Sequence, residues 1–91
     1  MEQVRAAHIL VESLSDAMAI FEDIRDGKEQ FPEVAKTRSK CPSGQNGGDL
    51  GFFGRGQMVK PFEDAAFGLA VGHMSQPVQT QFGYHLVYRI A

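Results

Sequence analysis

The run Val4-Arg5-Ala6-Ala7-His8-Ile9-Leu10-Val11 constrains the fold more than any other stretch of the chain. Its apolar character, ending in aliphatic and β-branched residues, is that of a central strand covered on both faces. A histidine, His8, stands in its middle. The residues that follow supply candidates for the cover. Ser13 or Ser15 can cap a helix in which Ala17, Ile20, Phe21 and Ile24 recur at helical spacing, and Gly27 offers a left-handed stop. Pro32 fits the first turn of a second helix, where its missing N–H costs little. Phe31, Val34 and Ala35 share a face of that helix through about Ser39, opposite Glu33, Lys36 and Lys40.

From Lys40 to Gln57 the chain changes character. Five of its ten glycines fall between Gly44 and Gly54, Gly56 follows, and only Leu50, Phe52 and Phe53 are large and apolar. The pattern predicts a long structured loop holding one short strand. Structureless loops beyond roughly 12 to 15 residues are uncommon in compact domains unless they carry function, which places a site here. Pro61 opens a third helix with the stripe Phe62, Ala65, Ala66 and Leu69, and Gly72 can help end the segment. Pro77 to Thr80 reads as an edge strand, proline being admissible at a strand's start. Gln81-Phe82-Gly83 supplies a turn. In the last strand Tyr84, Leu86, Tyr88 and Ile90 alternate with His85, Val87 and Arg89, which predicts a sheet covered mainly on one side. The order β, α, α, loop with β, α, β, β predicts an α+β domain with a mainly antiparallel sheet.

At 91 residues the chain suits one domain, residues 1–91, and 43% apolar residues suffice for a packed core. The formal charge of -2, with both signs interspersed, excludes a strong polyanion attractor. No stretch approaches the roughly 18 apolar residues of a membrane span, and the N-terminus has no export signal, so a cytoplasmic location is expected. The single cysteine, Cys41, makes no internal disulfide, which fits a reducing interior.

Three features carry candidate chemistry: two strand histidines, a cysteine at the mouth of the glycine-rich loop, and the apolar trio Met58, Phe62 and Phe82. Each has a plain structural reading. A lone histidine in an apolar strand is more often a hydrogen-bonded core residue, and a lone cysteine is commonly inert. His73 reads as solvated. The third helix's stripe reads as core, with Phe62 at the first turn placed to face outward. Zinc binding by His8, Cys41 and His85 is poorly supported, because separations of 33 and 44 residues lack any paired-ligand spacing. A thiol dyad of Cys41 with His8 or His85, oriented by Asp49, lacks an oxyanion-hole signature, and Pro42 directly follows the thiol. Gly47-Gly48-Asp49-Leu50-Gly51 lacks a phosphate-binding pattern.

Taken together, six short motifs are specific. His8-Ile9-Leu10-Val11, Cys41-Pro42-Ser43-Gly44, Gly47-Gly48-Asp49-Leu50-Gly51, Arg55-Gly56-Gln57-Met58, Lys60-Pro61-Phe62-Glu63-Asp64-Ala65 and Phe82-Gly83-Tyr84-His85 resemble the parvulin prolyl isomerases in order and spacing, over essentially the whole chain. The resemblance implies the parvulin (FKBP-like) fold, a four-stranded sheet surrounded by about four helices, including a short helix after residue 40. It implies peptidyl-prolyl cis/trans isomerase activity on proline-containing polypeptides, with no metal or cofactor, in a monomer. It also implies that His8 and His85 form a pair at the floor of the site, that Thr80 bonds into it, and that Cys41 lies beside the rotating bond. Leu50, Met58, Phe62 and Phe82 are then the proline pocket, with Gln57 beside it. Phosphate-requiring parvulins carry clustered Lys or Arg after the first strand, where they can grip phosphate. Here Glu12-Ser13-Leu14-Ser15-Asp16 is acidic, so no phosphate requirement is expected. A proline-peptide-binding chaperone module with little turnover is the alternative.

Overall fold

Strand β1 (Gln3–Val11) lies at the centre of a four-stranded antiparallel sheet of order β2-β1-β4-β3. The computed structural model describes residues 2–91. After β1 come helices α1 (Leu14–Arg25) and α2 (Phe31–Arg38), a short 3-10 helix (Pro42–Asn46), β2 (Asp49–Gly54), α3 (Lys60–Gly68), β3 (Val78–Thr80) and β4 (Gly83–Arg89). Ser13 is the cap of α1, its Oγ accepting from the Asp16 N–H at 3.1 Å. Helix α3 ends at Gly68, so Leu69 of the expected stripe lies just beyond the helix, although it still packs on the core. The six-residue β2 occupies one sheet edge and β3 the other.

The two faces of the sheet carry separate cores. Ala7, Ile9 and Val11 of β1 and Leu86 of β4 pack with Ala17 and Ile20 of α1 and Phe31, Val34 and Ala35 of α2. On the opposite face Val4, Ala6 and Val87 pack with Phe53, Phe62 and Ala66. This corrects the one-sided expectation for the last strand. Leu86 and Val87 are both fully buried, because α3 crosses the face that alternation alone assigned to solvent. Each large aliphatic side chain so buried contributes about 1.5–3 kcal/mol of transfer free energy. The helices thus cover both faces, as the apolar run of β1 demands.

Candidate active site

The site forms where the α3 face of the sheet meets the glycine-rich segment. β1 pairs with β2 through a register shift between Arg5 and Ala7, beyond which the His8 N–H donates to the Gly48 carbonyl at 2.9 Å. Gly48 has φ +86°, and a Cβ there would overlap the His8 carbonyl oxygen. Only glycine lets the loop approach this closely. The other side of the loop is stitched to the end of β1. The Ser39 Oγ accepts from the Leu10 N–H at 3.1 Å and the Cys41 N–H at 3.3 Å, while the Lys40 N–H donates to the Leu10 carbonyl at 2.7 Å. These bonds carry Cys41 to the side of His8.

His8 and His85 come from adjacent strands, and their rings lie edge to edge and nearly coplanar, with centroids 5.1 Å apart and a 16° interplanar angle. Their Nδ1 atoms are 2.9 Å apart. Thr80 Oγ1 lies 2.7 Å from His85 Nε2 and accepts the Phe82 N–H at 3.1 Å. Phe62 meets both imidazoles edge-on, each at 5.3 Å between centroids. Burial, and then the charge of His85, push His8 down from the ordinary 6.5 to about 4, and burial lowers His85 as well. Both rings are therefore neutral near pH 7, so one Nδ1–H donates to the other Nδ1. When Thr80 donates to His85, the proton order runs Thr80 to His85 to His8; when Thr80 accepts, it reverses. His8 Nε2 is buried without a protein partner among the described residues.

His8, Cys41, His85, Leu50, Gln57, Met58, Phe62 and Phe82 all line a half-open depression of about 490 Å³. Thr80 stands behind it, bonded to His85. Phe62 is an exception to its sequence reading: it faces inward at 3% exposure, serving both the core and the floor of the depression. Phe62 turns toward the sheet instead of solvent because Phe53 of β2 packs against both Phe62 and Phe67 of α3. Phe82 is 60% exposed and forms the outer lip. Gln57 is also exposed, and its Oε1 accepts the Gly54 N–H at 2.8 Å. Asp49 does not serve the histidines: its carboxylate pairs with Arg5 and accepts the Gly51 N–H at 2.8 Å. The Cys41 Sγ accepts from the Ser43 hydroxyl at 3.2 Å.

Leu10, Lys40, Pro42 and Val59 line the same depression and escaped sequence reading. Leu10 carried a usable signal, being two residues from His8 on one strand and hence on one face. Ser39, which ties the loop to β1, carried none, because a serine after a helix is ordinary.

A doubly covered antiparallel sheet with hydrogen-bonded neutral histidines beside an apolar notch defines a half-open, largely apolar cleft. Residues 8–91 match the family model of the rotamase, or PPIC-type PPIase, domain, and the chain belongs to that family, the parvulin-type peptidyl-prolyl cis/trans isomerases. It is 50% identical over 86 residues to the foldase protein PrsA of a Geobacillus species, covering 93% of this chain and 31% of that protein. It is 39% identical to the peptidyl-prolyl cis-trans isomerase Pin1 of Arabidopsis thaliana, covering 99% of this chain and 97% of that one. The solution structure of the parvulin of Nitrosopumilus maritimus superposes with a TM-score of 0.87 at 44% identity, covering 100% of this chain and 98% of that one. The chain thus spans about a third of the foldase and nearly the whole of the plant isomerase.

Proposed function

We propose that the depression holds a substrate proline and accelerates rotation of the preceding amide in exposed or unfolded segments, without covalent attachment to the protein. The observation that carries this is the gathering of Leu50, Met58, Phe62 and Phe82 around two neutral imidazoles in one notch. Amide resonance sets a barrier of about 18–20 kcal/mol and an uncatalysed time of about 10–100 s. In the twisted transition state the amide loses its charge separation and its nitrogen pyramidalises. An apolar, partly dewatered wall therefore favours the twisted form over the planar one. The hydrogen-bonded run Thr80, His85, His8 fixes the floor against which the ring sits, so that the chain N-terminal to proline rotates while the ring is held. Lowering the barrier by about 5–7 kcal/mol gives about four to five decades of rate.

In this scheme Cys41 acts as a polar neighbour of the rotating bond and His8, His85 and Thr80 as its support. The substrate needs no phosphate. Of the described residues lining the depression, Lys40 is the only one carrying a formal charge near pH 7, and its Nζ already faces Glu12 at 4.0 Å. Glu12 in the connection from β1 to α1 and Asp16 in the first turn of α1 stand where a phosphate grip would need cations. The same reading has the 91 residues acting as one domain, a cytoplasmic monomer, with the free thiol of Cys41 suited to a reducing compartment. A peptide-binding chaperone role with little turnover is the second reading, favoured by the likeness to part of a much longer foldase. Exchange NMR on a series of Xaa-Pro peptides separates the two. Accelerated cis/trans exchange on unphosphorylated peptides is the expected outcome; shifts on binding without faster exchange would favour the chaperone, and a strong preference for phosphorylated peptides would overturn the specificity.

A further inference from the structure

Glu63 is one of the three buried polar or charged side chains among the described residues, and the other two are the paired histidines. Its side chain is 6% exposed. A carboxylate so placed must be compensated, and the compensation comes from the turn that joins β2 to α3. The Gly56 N–H donates to Glu63 Oε1 at 2.6 Å. The Arg55 Nη1 and the Lys60 Nζ approach Oε2 at 3.4 Å and 3.5 Å. The same turn is held at two further points: the Arg55 guanidinium lies 4.3 Å from the Phe67 ring centre, and Gln57 Oε1 takes the Gly54 N–H. Gly56, at φ +86°, turns the chain directly into Gln57 and Met58, which form one wall of the depression.

We infer that Glu63 is a positioning residue for substrate binding: from inside the first turn of α3 it latches the Arg55–Gln57 turn and so sets the Met58 wall against the proline ring. Resting on the isomerase reading, this adds a residue that does not line the depression. The floor is held apart from the Gly56 bond, since the histidines stand on β1 and β4 and Phe62 packs on them and on Phe53 of β2. Loosening the turn therefore weakens the grip on the ring more than it slows the twist once the ring is seated. The bond to Gly56 N–H and the nearby cations hold the Glu63 carboxyl below its usual range, so the latch stays closed at neutral pH.

The test compares Glu63→Ala and Glu63→Gln with the unaltered chain, measuring KM and kcat by exchange NMR on an Ala-Pro peptide at a temperature where circular dichroism shows each variant folded. Gly56 amide exchange and the Met58 methyl signal are followed in parallel. Glu63→Ala is expected to raise KM about tenfold with kcat within about twofold, the size of effect of one lost charge-assisted hydrogen bond. It is also expected to speed Gly56 amide exchange and shift the Met58 methyl. Glu63→Gln, which keeps an acceptor for the Gly56 N–H, should recover most of the loss. An unchanged KM in folded Glu63→Ala, or a fall in kcat with KM fixed, overturns the latch; if the alanine variant does not fold, the rise in KM is read on Glu63→Asp, whose shorter side chain withdraws the acceptor from the Gly56 N–H, with Glu63→Gln as the variant that recovers. Should the unaltered chain bind the peptide without speeding exchange, the isomerase reading fails while the peptide Kd still decides the latch.

Discussion

The two faces of the sheet are built from alternating residues of the same two strands and are put to opposite uses. Toward α1 and α2, β1 and β4 present Ala7, Ile9, Val11 and Leu86, and the core is wholly apolar. Toward α3 they present Val4, Ala6 and Val87, and with them His8, directly opposite Val87, and His85. The first face is closed by two helices. The second is closed by one helix, and the glycine-rich segment rims the histidine pair. A period-2 strand thus lets one core supply stability while its reverse side holds two polar rings at a solvent-facing notch. Stability and activity should accordingly separate by face.

The largest effect is expected on the first face. Leu86→Ala removes a fully buried side chain and should cost about 2–5 kcal/mol, a large share of the about 5–15 kcal/mol typical of a domain, read as a lower urea midpoint. Peptide turnover by the folded fraction should be unchanged. A loss of turnover beyond the unfolded fraction would show the faces to be coupled.

Next comes the pH dependence of the second face. His8 accepts a proton near pH 6.5 when unfolded and only near pH 4 when folded, so the unfolded chain takes up the proton first. Its contribution is complete above about pH 6.5, declines as the pH falls, and levels off below about pH 4, a loss of about 3 kcal/mol. His85, lowered in the same direction, adds to the loss. Chemical denaturation across that range should show a slope that His8→Asn reduces. An unaltered slope would mean that the pair is not held neutral.

Met58→Ala addresses the wall of the notch. It should reduce kcat/KM about tenfold, as expected for lost apolar contact with the ring, and move the thermal midpoint less than Leu86→Ala does. Equal stability losses in the two variants would dissolve the contrast between faces. The smallest change is expected from Cys41→Ala, with turnover within about threefold, because rotation needs no bond to sulfur. Complete loss of activity would instead support a thiol mechanism.

Much of this arrangement is legible in the amino-acid order. The central position of β1, the three helices and the edge strand follow from apolar periodicity, proline placement and a serine cap, all of which act over a few residues. The site residues His8, Cys41, His85, Leu50, Gln57, Met58, Phe62 and Phe82 were legible as motifs, and the fold brings them to one depression. What only the tertiary structure decided is where each side chain's partner lies. Alternation in β4 could not reveal that Val87 is covered, because its cover, α3, comes from another part of the chain. The inward turn of Phe62, the binding of Ser39 to β1 and the burial of Glu63 beneath Gly56 likewise depend on how separate elements dock. Local sequence sets backbone preference and which faces are apolar; docking sets which polar atoms meet, since a buried polar group is tolerated only where the packed fold supplies its partner.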